Sequence, residues 1–244
     1  MRLVRLRALA DNWIHLAVAD GRAWVVDPGD DAPVMAALAA AGARLEAILL
    51  THRHADHTGG VAPLRRATGC RVFGPAECAA SGLDRIVGEG DVIDLPGGQV
   101  RVLSVPGHTA GHVAYLAPGA VWTGDTLFVG GCGRALECGA EVLWRSLLRL
   151  ANLPPDTRVC DGHDYLEDNL EFALSLLPGD PAISGRLAAL RAAGGTEAGT
   201  TVAAERATSI FLRAGAPAVA AAVGLVGAPA AAVFAELRRR KDAW

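Results

Sequence analysis

An α/β domain followed by a small all-helical one is the fold class this sequence predicts, and three observations carry the prediction. Up to about residue 165, short apolar runs alternate with Gly and Pro punctuation, the pattern of strands and helices in turn. Beyond Tyr165, Ala, Leu, Glu and Arg dominate and the strand signals fade. Three short polar clusters that hold histidines each follow a run that reads as a strand, and loops at strand ends are where rigid sheets present chemistry. The expected domains are therefore 1–165, carrying the chemistry, and 166–244, helical.

The elements follow in order. Leu3–Leu9, Trp13–Ala19 and Ala23–Val26 read as strands, the last two joined by a turn at Asp20-Gly21. Residues 31–41 read as a helix, with Asp30 or Asp31 as N-cap and Pro33 in its first turn. Leu45–Leu50 is a buried strand that ends at the first cluster, Thr51-His52-Arg53-His54-Ala55-Asp56-His57. Val61–Ala67 is helical and Arg71–Gly74 is a short strand. Val100–Val105 is a strand ending at Pro106-Gly107-His108-Thr109-Ala110-Gly111-His112. Val113–Leu116 and Ala120–Thr123 form a hairpin around Pro118-Gly119, and Asp125 follows it. Glu141–Leu150 is helical. Arg158–Cys160 is a strand before Asp161-Gly162-His163-Asp164-Tyr165. Helices are expected over Leu166–Leu176, Ile183–Ala193, Val202–Arg213 and Pro229–Arg239, with a surface loop at Gly194–Gly199. No repeat of 20–50 residues is present.

Bulk composition narrows the class. A chain of 244 residues with 51% apolar content can bury one large core and a smaller appendage. A formal charge of -3 argues against nucleic-acid or membrane partners. The five cysteines are odd in number and show no C-x-x-C pair, which fits a reducing compartment and no disulfide framework. Asp11, Asn12 and His15 interrupt the basic, apolar start too early for a signal peptide. No uninterrupted apolar run reaches the roughly twenty residues that span a bilayer. A cytoplasmic monomer is expected.

The histidines carry the functional signal. All but His15 fall in the three clusters. In an extended segment His52 and His54 point the same way and can reach one cation, while Asp56 and His57 lie just beyond and can serve a second. His108, Asp125 and His163 bring the candidates to five imidazoles and two carboxylates. One zinc takes about four ligands, so seven donors suit two ions, with Asp125 as the shared carboxylate. Zinc is the expected metal, and iron and manganese suit the same donors. His112 reads as a supporting group rather than a ligand, and His15 is assigned no role. Cys132 and Cys160 read as small buried apolar residues.

The Thr-His-x-His-x-Asp-His string at 51–57, with the strings at 106–112 and 123–128, resembles the ligand segments of the metallo-β-lactamase superfamily. Within it, the chain is similar to the hydroxyacylglutathione hydrolases (glyoxalase II). That likeness rests on Asp11-Asn12-Trp13, Thr123-Gly124-Asp125-Thr126-Leu127-Phe128, Gly131-Cys132-Gly133-Arg134, and Gly162-His163-Asp164-Tyr165 with Asn169-Leu170-Glu171-Phe172-Ala173. Phe211-Leu212-Arg213 and Leu237-Arg238-Arg239-Arg240-Lys241-Asp242 extend it to the end of the chain.

The resemblance implies an αββα sandwich of two mixed β-sheets flanked by helices, closed by C-terminal helices. It implies one metal on His52, His54 and His108, a second on Asp56, His57 and His163, and Asp125 as the bridge. It implies hydrolysis of S-D-lactoylglutathione to glutathione and D-lactate, the second step of methylglyoxal detoxification. Asp56 and Asp125 are then the catalytic carboxylates, and no Ser or Cys nucleophile is needed. Arg134, Tyr165, Arg238 and Lys241 become glutathione contacts, which suits a ligand with two carboxylates. Without the resemblance, Arg238 and Lys241 read rather as cations complementing a helix C-terminus. Four positions depart from the family pattern: Leu136 for a Tyr, Asp161 for a Cys, Asp164 for a Glu, and Ser209-Ile210 for Asn-Pro. Other readings stay open, namely another thioesterase, a single-iron persulfide dioxygenase, a β-lactam or lactone hydrolase, a nucleic-acid processing factor or a non-catalytic metal module.

Overall fold

The computed structural model describes residues 1–195 and 199–244, so part of the expected loop at Gly194–Gly199 lies outside the described residues. The chain divides into two compact units. The first comprises Met1–Ser104, Gly111–Gly124 and Cys160–Asp164; the second comprises Val105–Ala110, Asp125–Val159 and Tyr165–Trp244.

Period-two alternation builds the first unit. Its first sheet runs in the order β1 (Arg2–Ala8), β2 (Asn12–Ala19), β3 (Arg22–Val26), β4 (Arg44–Leu49), β5 (Arg71–Gly74) and β6 (Arg85–Ile86). The β1–β2 and β2–β3 pairs are antiparallel; β3–β4, β4–β5 and β5–β6 are parallel, so the sheet is mixed. The second sheet places β7 (Val92–Leu95), β8 (Gly98–Ser104), β9 (Val113–Ala117) and β10 (Ala120–Gly124) side by side, with β13 (Arg158–Asp161) next to β10. On β3, Trp24 and Val26 face one core while Ala23 and Val25 face another. The first core joins the two sheets, with Ala47, Leu49 and Phe73 of one packing among Val100, Val102, Tyr115 and Trp122 of the other. Trp24 and Trp122 meet edge to face within it, ring centroids 4.7 Å apart. The second core lies under α1 (Ala32–Ala41) and α3 (Val61–Thr68), where Val34, Leu38, Val61 and Leu64 cover Ile48 and Val72. Asp31 holds the N-cap position of α1, but the side chain that bonds the helix start is that of Asp30, whose Oδ1 accepts from the Ala32 amide at 3.0 Å.

The second unit is helical apart from short strands. It holds the hairpin β11 (Leu127–Phe128) and β12 (Gly131–Cys132), then α4 (Ala140–Ala151), α5 (Leu166–Leu176), α6 (Pro181–Ala192), α7 (Val202–Thr208), α8 (Pro217–Ala222) and α9 (Ala230–Asp242). The two-residue β14 (Thr200–Thr201) pairs with Arg158 and Val159. A line of rings runs through this unit: Trp144 stacks on Phe234 at 5.2 Å, Phe234 meets Phe211 at 6.1 Å, and Phe211 stacks on Phe172 at 6.0 Å. Buried Glu205 ties the β11–β12 hairpin to the helices. It accepts from the Gly130 amide at 2.7 Å and pairs with Arg186 at 2.7 Å.

The expected helix Val202–Arg213 is shorter than the pattern suggested. It stops at Thr208, and Ser209 turns extended (φ -71°, ψ 115°). Ile210 and Phe211 are fully buried, so the chain bends to seat them instead of continuing the helix. The other expected helices and strands form, with ends shifted by at most three residues, and β5 and α5 have the expected bounds.

The strand that delivers the first cluster is anchored by a side chain. Tyr115 Oη donates to the Leu50 carbonyl at 2.6 Å from within the inter-sheet core. Tyr115→Phe should lower stability by about 1–2 kcal/mol, because the Leu50 carbonyl loses a buried donor. Equilibrium denaturation checks this, and an unchanged midpoint and slope would count against it.

Candidate metal centre

The first cluster sits directly after β4, and its backbone sets its geometry. His54 is extended (φ -62°, ψ 146°) and heads the one-turn helix α2 (Ala55–Thr58), which carries Asp56 and His57. His52 Nε2 lies 3.0 Å from His54 Nδ1, so the two imidazoles converge as their spacing requires. Asp56 and His57 turn toward His163, which follows β13. Asp56, His57 and His163 form one group whose donor atoms could hold a metal; Asp27, His52 and His57 form another.

The proton arrangement gives this group its chemistry. His57 Nδ1 donates to Asp27 Oδ2 at 3.1 Å, and His163 Nδ1 donates to Asp11 Oδ1 at 2.7 Å. A carboxylate can only accept, so in each ring Nδ1 carries a proton, which leaves Nε2 to offer its lone pair to a cation. Those Nε2 atoms lie 3.3 Å apart, and they sit 3.3 Å and 3.4 Å from Asp56 Oδ2. Two lone pairs and an anionic oxygen thus face a common point, which a cation satisfies. Protons can stand in for the cation: with Nε2 of His163 and of His57 donating to it, the Asp56 carboxyl is held far below the usual carboxylate range, against the opposing effect of burial. Asn12 Nδ2 donates to Asp56 Oδ2 at 3.0 Å. The donor set fits divalent metal.

One buried carboxylate organises the first cluster. Asp27, at the end of β3, accepts from the Thr51 amide at 2.8 Å and from Thr51 Oγ1 at 2.6 Å, besides His57. The Thr51 hydroxyl proton is thereby committed, so His52 Nδ1 donates to Thr51 Oγ1 at 3.0 Å and His52 Nε2 is left as a lone pair. Asp27 reaches this place through a left-handed backbone, φ 49°. The next turn passes so close to Asp56 that a Cβ on Gly29 would stand 1.9 Å from the Asp56 carbonyl oxygen.

Asp11 and Asn12 stand at the tip of the β1–β2 hairpin and are tied to the His163 loop by backbone bonds. The Trp13 amide donates to the Gly162 carbonyl at 2.8 Å, and the Asp164 amide to the Asp11 carbonyl at 2.8 Å. Asp164 also accepts from Arg7 at 2.5 Å. His112, expected to support rather than ligate, stacks on His52 with centroids 4.7 Å apart. His15, given no role from the sequence, is buried with Nε2 2.8 Å from the Asp161 carbonyl oxygen.

Within the second unit, His108 and Asp125 are neighbours. His108 Nε2 lies 3.4 Å from Asp125 Oδ2, and its Nδ1 donates to the Arg134 carbonyl at 3.1 Å. The Gly-Cys-Gly-Arg turn makes this approach possible, since a Cβ on Gly133 would stand 1.9 Å from the Asp125 carbonyl oxygen. Arg238 holds the same turn from α9. It is buried, and its Nη1 donates to the Cys132 carbonyl at 2.8 Å while its Nη2 pairs with Asp242 at 3.0 Å. Burial pushes the neighbouring Cys132 thiol up to about 11, against the pull of Arg238. Arg134 is exposed, with Nε 3.8 Å from Asp242. Tyr165 stands edge-on to Phe128 at 5.3 Å. Lys241 pairs with Asp168, and its burial lowers the ammonium below the ordinary lysine value. Leu136 is exposed.

Residues 10–163 match the metallo-beta-lactamase superfamily, and residues 164–244 match the hydroxyacylglutathione hydrolase C-terminus. The hydroxyacylglutathione hydrolase of Fuscovulum blasticum is 46% identical over 99% of this chain and 98% of its own. The chain belongs to the hydroxyacylglutathione hydrolase family. The hydroxyacylglutathione hydrolase of Alkalilimnicola ehrlichii is 48% identical over 98% of each chain. Among solved structures, ETHE1 from Myxococcus xanthus superposes with a TM-score of 0.71 at 25% identity, covering 98% of this chain and 90% of that one. TTHA1623 in a di-iron-bound form gives a TM-score of 0.62 at 31% identity, covering 86% of this chain and 100% of its own.

Sequence reasoning found the hydroxyacylglutathione hydrolase strings but not the part played by Asp27, nor the contacts of Asp11 and Asn12 within one of those strings. A carboxylate ending the apolar run of β3 was the available signal for Asp27. Asp11→Ala should weaken metal retention about 10–100-fold, because His163 loses the acceptor that fixes its tautomer. Metal content per chain across a chelator-buffered series measures this, and retention equal to the parent chain would contradict it.

Proposed function

We propose that this chain is a binuclear metal-dependent hydrolase of S-(2-hydroxyacyl)glutathione thioesters, releasing glutathione and a 2-hydroxy acid such as D-lactate. The carrying observation is the convergence of two imidazole lone pairs on the Asp56 carboxylate, in a chain that matches this family across both its parts. In this reading residues 1–165 form the catalytic domain and 166–244 the glutathione-binding domain. His52, His54 and His108 hold one divalent ion; Asp56, His57 and His163 hold the other; Asp125 serves both. A di-iron-bound relative at 31% identity supports two ions, and zinc is the metal we assign.

Bound divalent ions lower the pKa of water to about 7 and polarise a carbonyl oxygen. The chain supplies the rest. Asp56, ionised as a metal ligand has to be, accepts a hydrogen bond from the attacking water, aligning it on the thioester carbon. The new C–O bond forms as the C–S bond breaks, and the sulfur departs as a thiolate that needs little protonation. Arg134, Tyr165, Arg238 and Lys241 are proposed to face the glutathione moiety, whose carboxylates suit cationic donors. The remaining assignments are a cytoplasmic location, a monomer and no nucleic-acid or membrane partner. Among the described residues no helix is long and apolar enough to cross a membrane.

Two measurements test the reading. The chain should hold two metal ions and hydrolyse S-D-lactoylglutathione far faster than a thioester lacking glutathione. One iron per chain with oxygen uptake would overturn it in favour of persulfide oxidation. His54→Ala and Asp125→Ala should each lose metal and at least about 100-fold in kcat/KM; full turnover by either would end the assignment of that residue.

A further inference from the structure

The basic end of α9 is neutralised unevenly. Arg239 and Arg240 both pair with Glu236 on their own helix, and Arg238 is spent on the β12 turn and Asp242. Lys241 has its ion pair elsewhere. Its Nζ meets Asp168 Oδ2 and lies 3.3 Å from the Asp168 carbonyl oxygen, in the first turn of α5. Trp244 Nε1 donates to the other oxygen of the same carboxylate at 3.0 Å. The Phe172 and Trp244 rings flank the ammonium at 5.2 Å and 5.9 Å, and meet each other edge to face at 5.6 Å. The Lys241 side chain is 9% exposed while that of Asp168 is 55% exposed. A nearly buried cation is thus closed on its open side by a carboxylate that stands in solvent.

We infer that Asp168 is a specificity-determining residue: it occupies the Lys241 ammonium from within the chain, so a substrate carboxylate reaches that cation only by displacing it. The inference rests on the reading above, in which Lys241 faces the glutathione moiety. Like replaces like in this exchange. An incoming carboxylate finds the same ammonium and the same aromatic walls, but it must first release Asp168 from Lys241 and from the Trp244 indole. The position of Asp168 in the first turn of α5 strengthens its hold, because a helix N-terminus favours an anion. Glutathione thioesters are therefore bound more weakly than an open Lys241 would allow, while thioesters without a carboxylate are indifferent to the contact.

The test compares the parent chain, Asp168→Asn, Lys241→Gln and the double variant in their metal-loaded forms. The substrates are S-D-lactoylglutathione and the lactoyl thioester of N-acetylcysteamine, which carries no carboxylate. Asp168→Asn should lower KM for the glutathione thioester about three- to tenfold with kcat unchanged, and leave the N-acetylcysteamine thioester unaffected. In the Lys241→Gln background the same change should do nothing. If Lys241→Gln raises the glutathione KM but Asp168→Asn leaves it unchanged or raises it, Asp168 only positions Lys241 and the inference is overturned. If Lys241→Gln leaves KM unchanged, the assignment of Lys241 to substrate fails and the inference falls with it. Hydrolysis of neither thioester by the parent chain would instead overturn the proposed function.

Discussion

Two carboxylates that never need to touch a metal decide what the candidate centre can be. Asp27 and Asp11 each take the Nδ1 proton of an imidazole, His57 in one case and His163 in the other. That choice fixes both tautomers and aims two Nε2 lone pairs at Asp56 Oδ2. Two buried imidazole nitrogens and the half-buried Asp56 carboxylate repel one another as acceptors, and positive charge between them makes the arrangement favourable. The surrounding structure serves that constraint. β3 ends where Asp27 must stand, the β1–β2 tip brings Asp11 and Asn12 onto the His163 loop, and Gly29 lets the Asp27 turn lie against Asp56.

Much of this was legible in the sequence because metal ligands have a spacing and an address. His52 and His54 are two apart on extended backbone, and each cluster follows a strand, so their convergence could be read before any coordinates. The supporting groups carry no such mark. Asp27 stands before Pro28-Gly29, and a carboxylate there looks like any turn residue; its burial becomes visible only once β3 and the first cluster are side by side. Strands of two residues, such as β11, β12 and β14, are too short to show a period. The end of α7 was misjudged for the reason that propensity often fails: burying Ile210 and Phe211 outweighs another turn of helix.

The basic residues expected to meet glutathione show why residue type alone does not fix a role. Arg238 is buried, and its donors hold the Cys132 carbonyl and Asp242, so it shapes the turn that carries Arg134. Arg134, on that same turn, keeps most of its side chain in solvent. Of the two readings of the cationic helix end, Arg238 displays the structural tie. The two glycines of the Gly-Cys-Gly-Arg string are needed for packing, Gly133 against the Asp125 carbonyl and Gly131 against the Asn169 side chain.

Cadmium-113 NMR of the fully cadmium-loaded, nitrogen-15-labelled chain tests the central claim most directly. The account predicts two cadmium resonances, one of them coupled to the Nε2 atoms of both His57 and His163 while their Nδ1 atoms remain protonated. A single resonance with no coupling to those two nitrogens would contradict it.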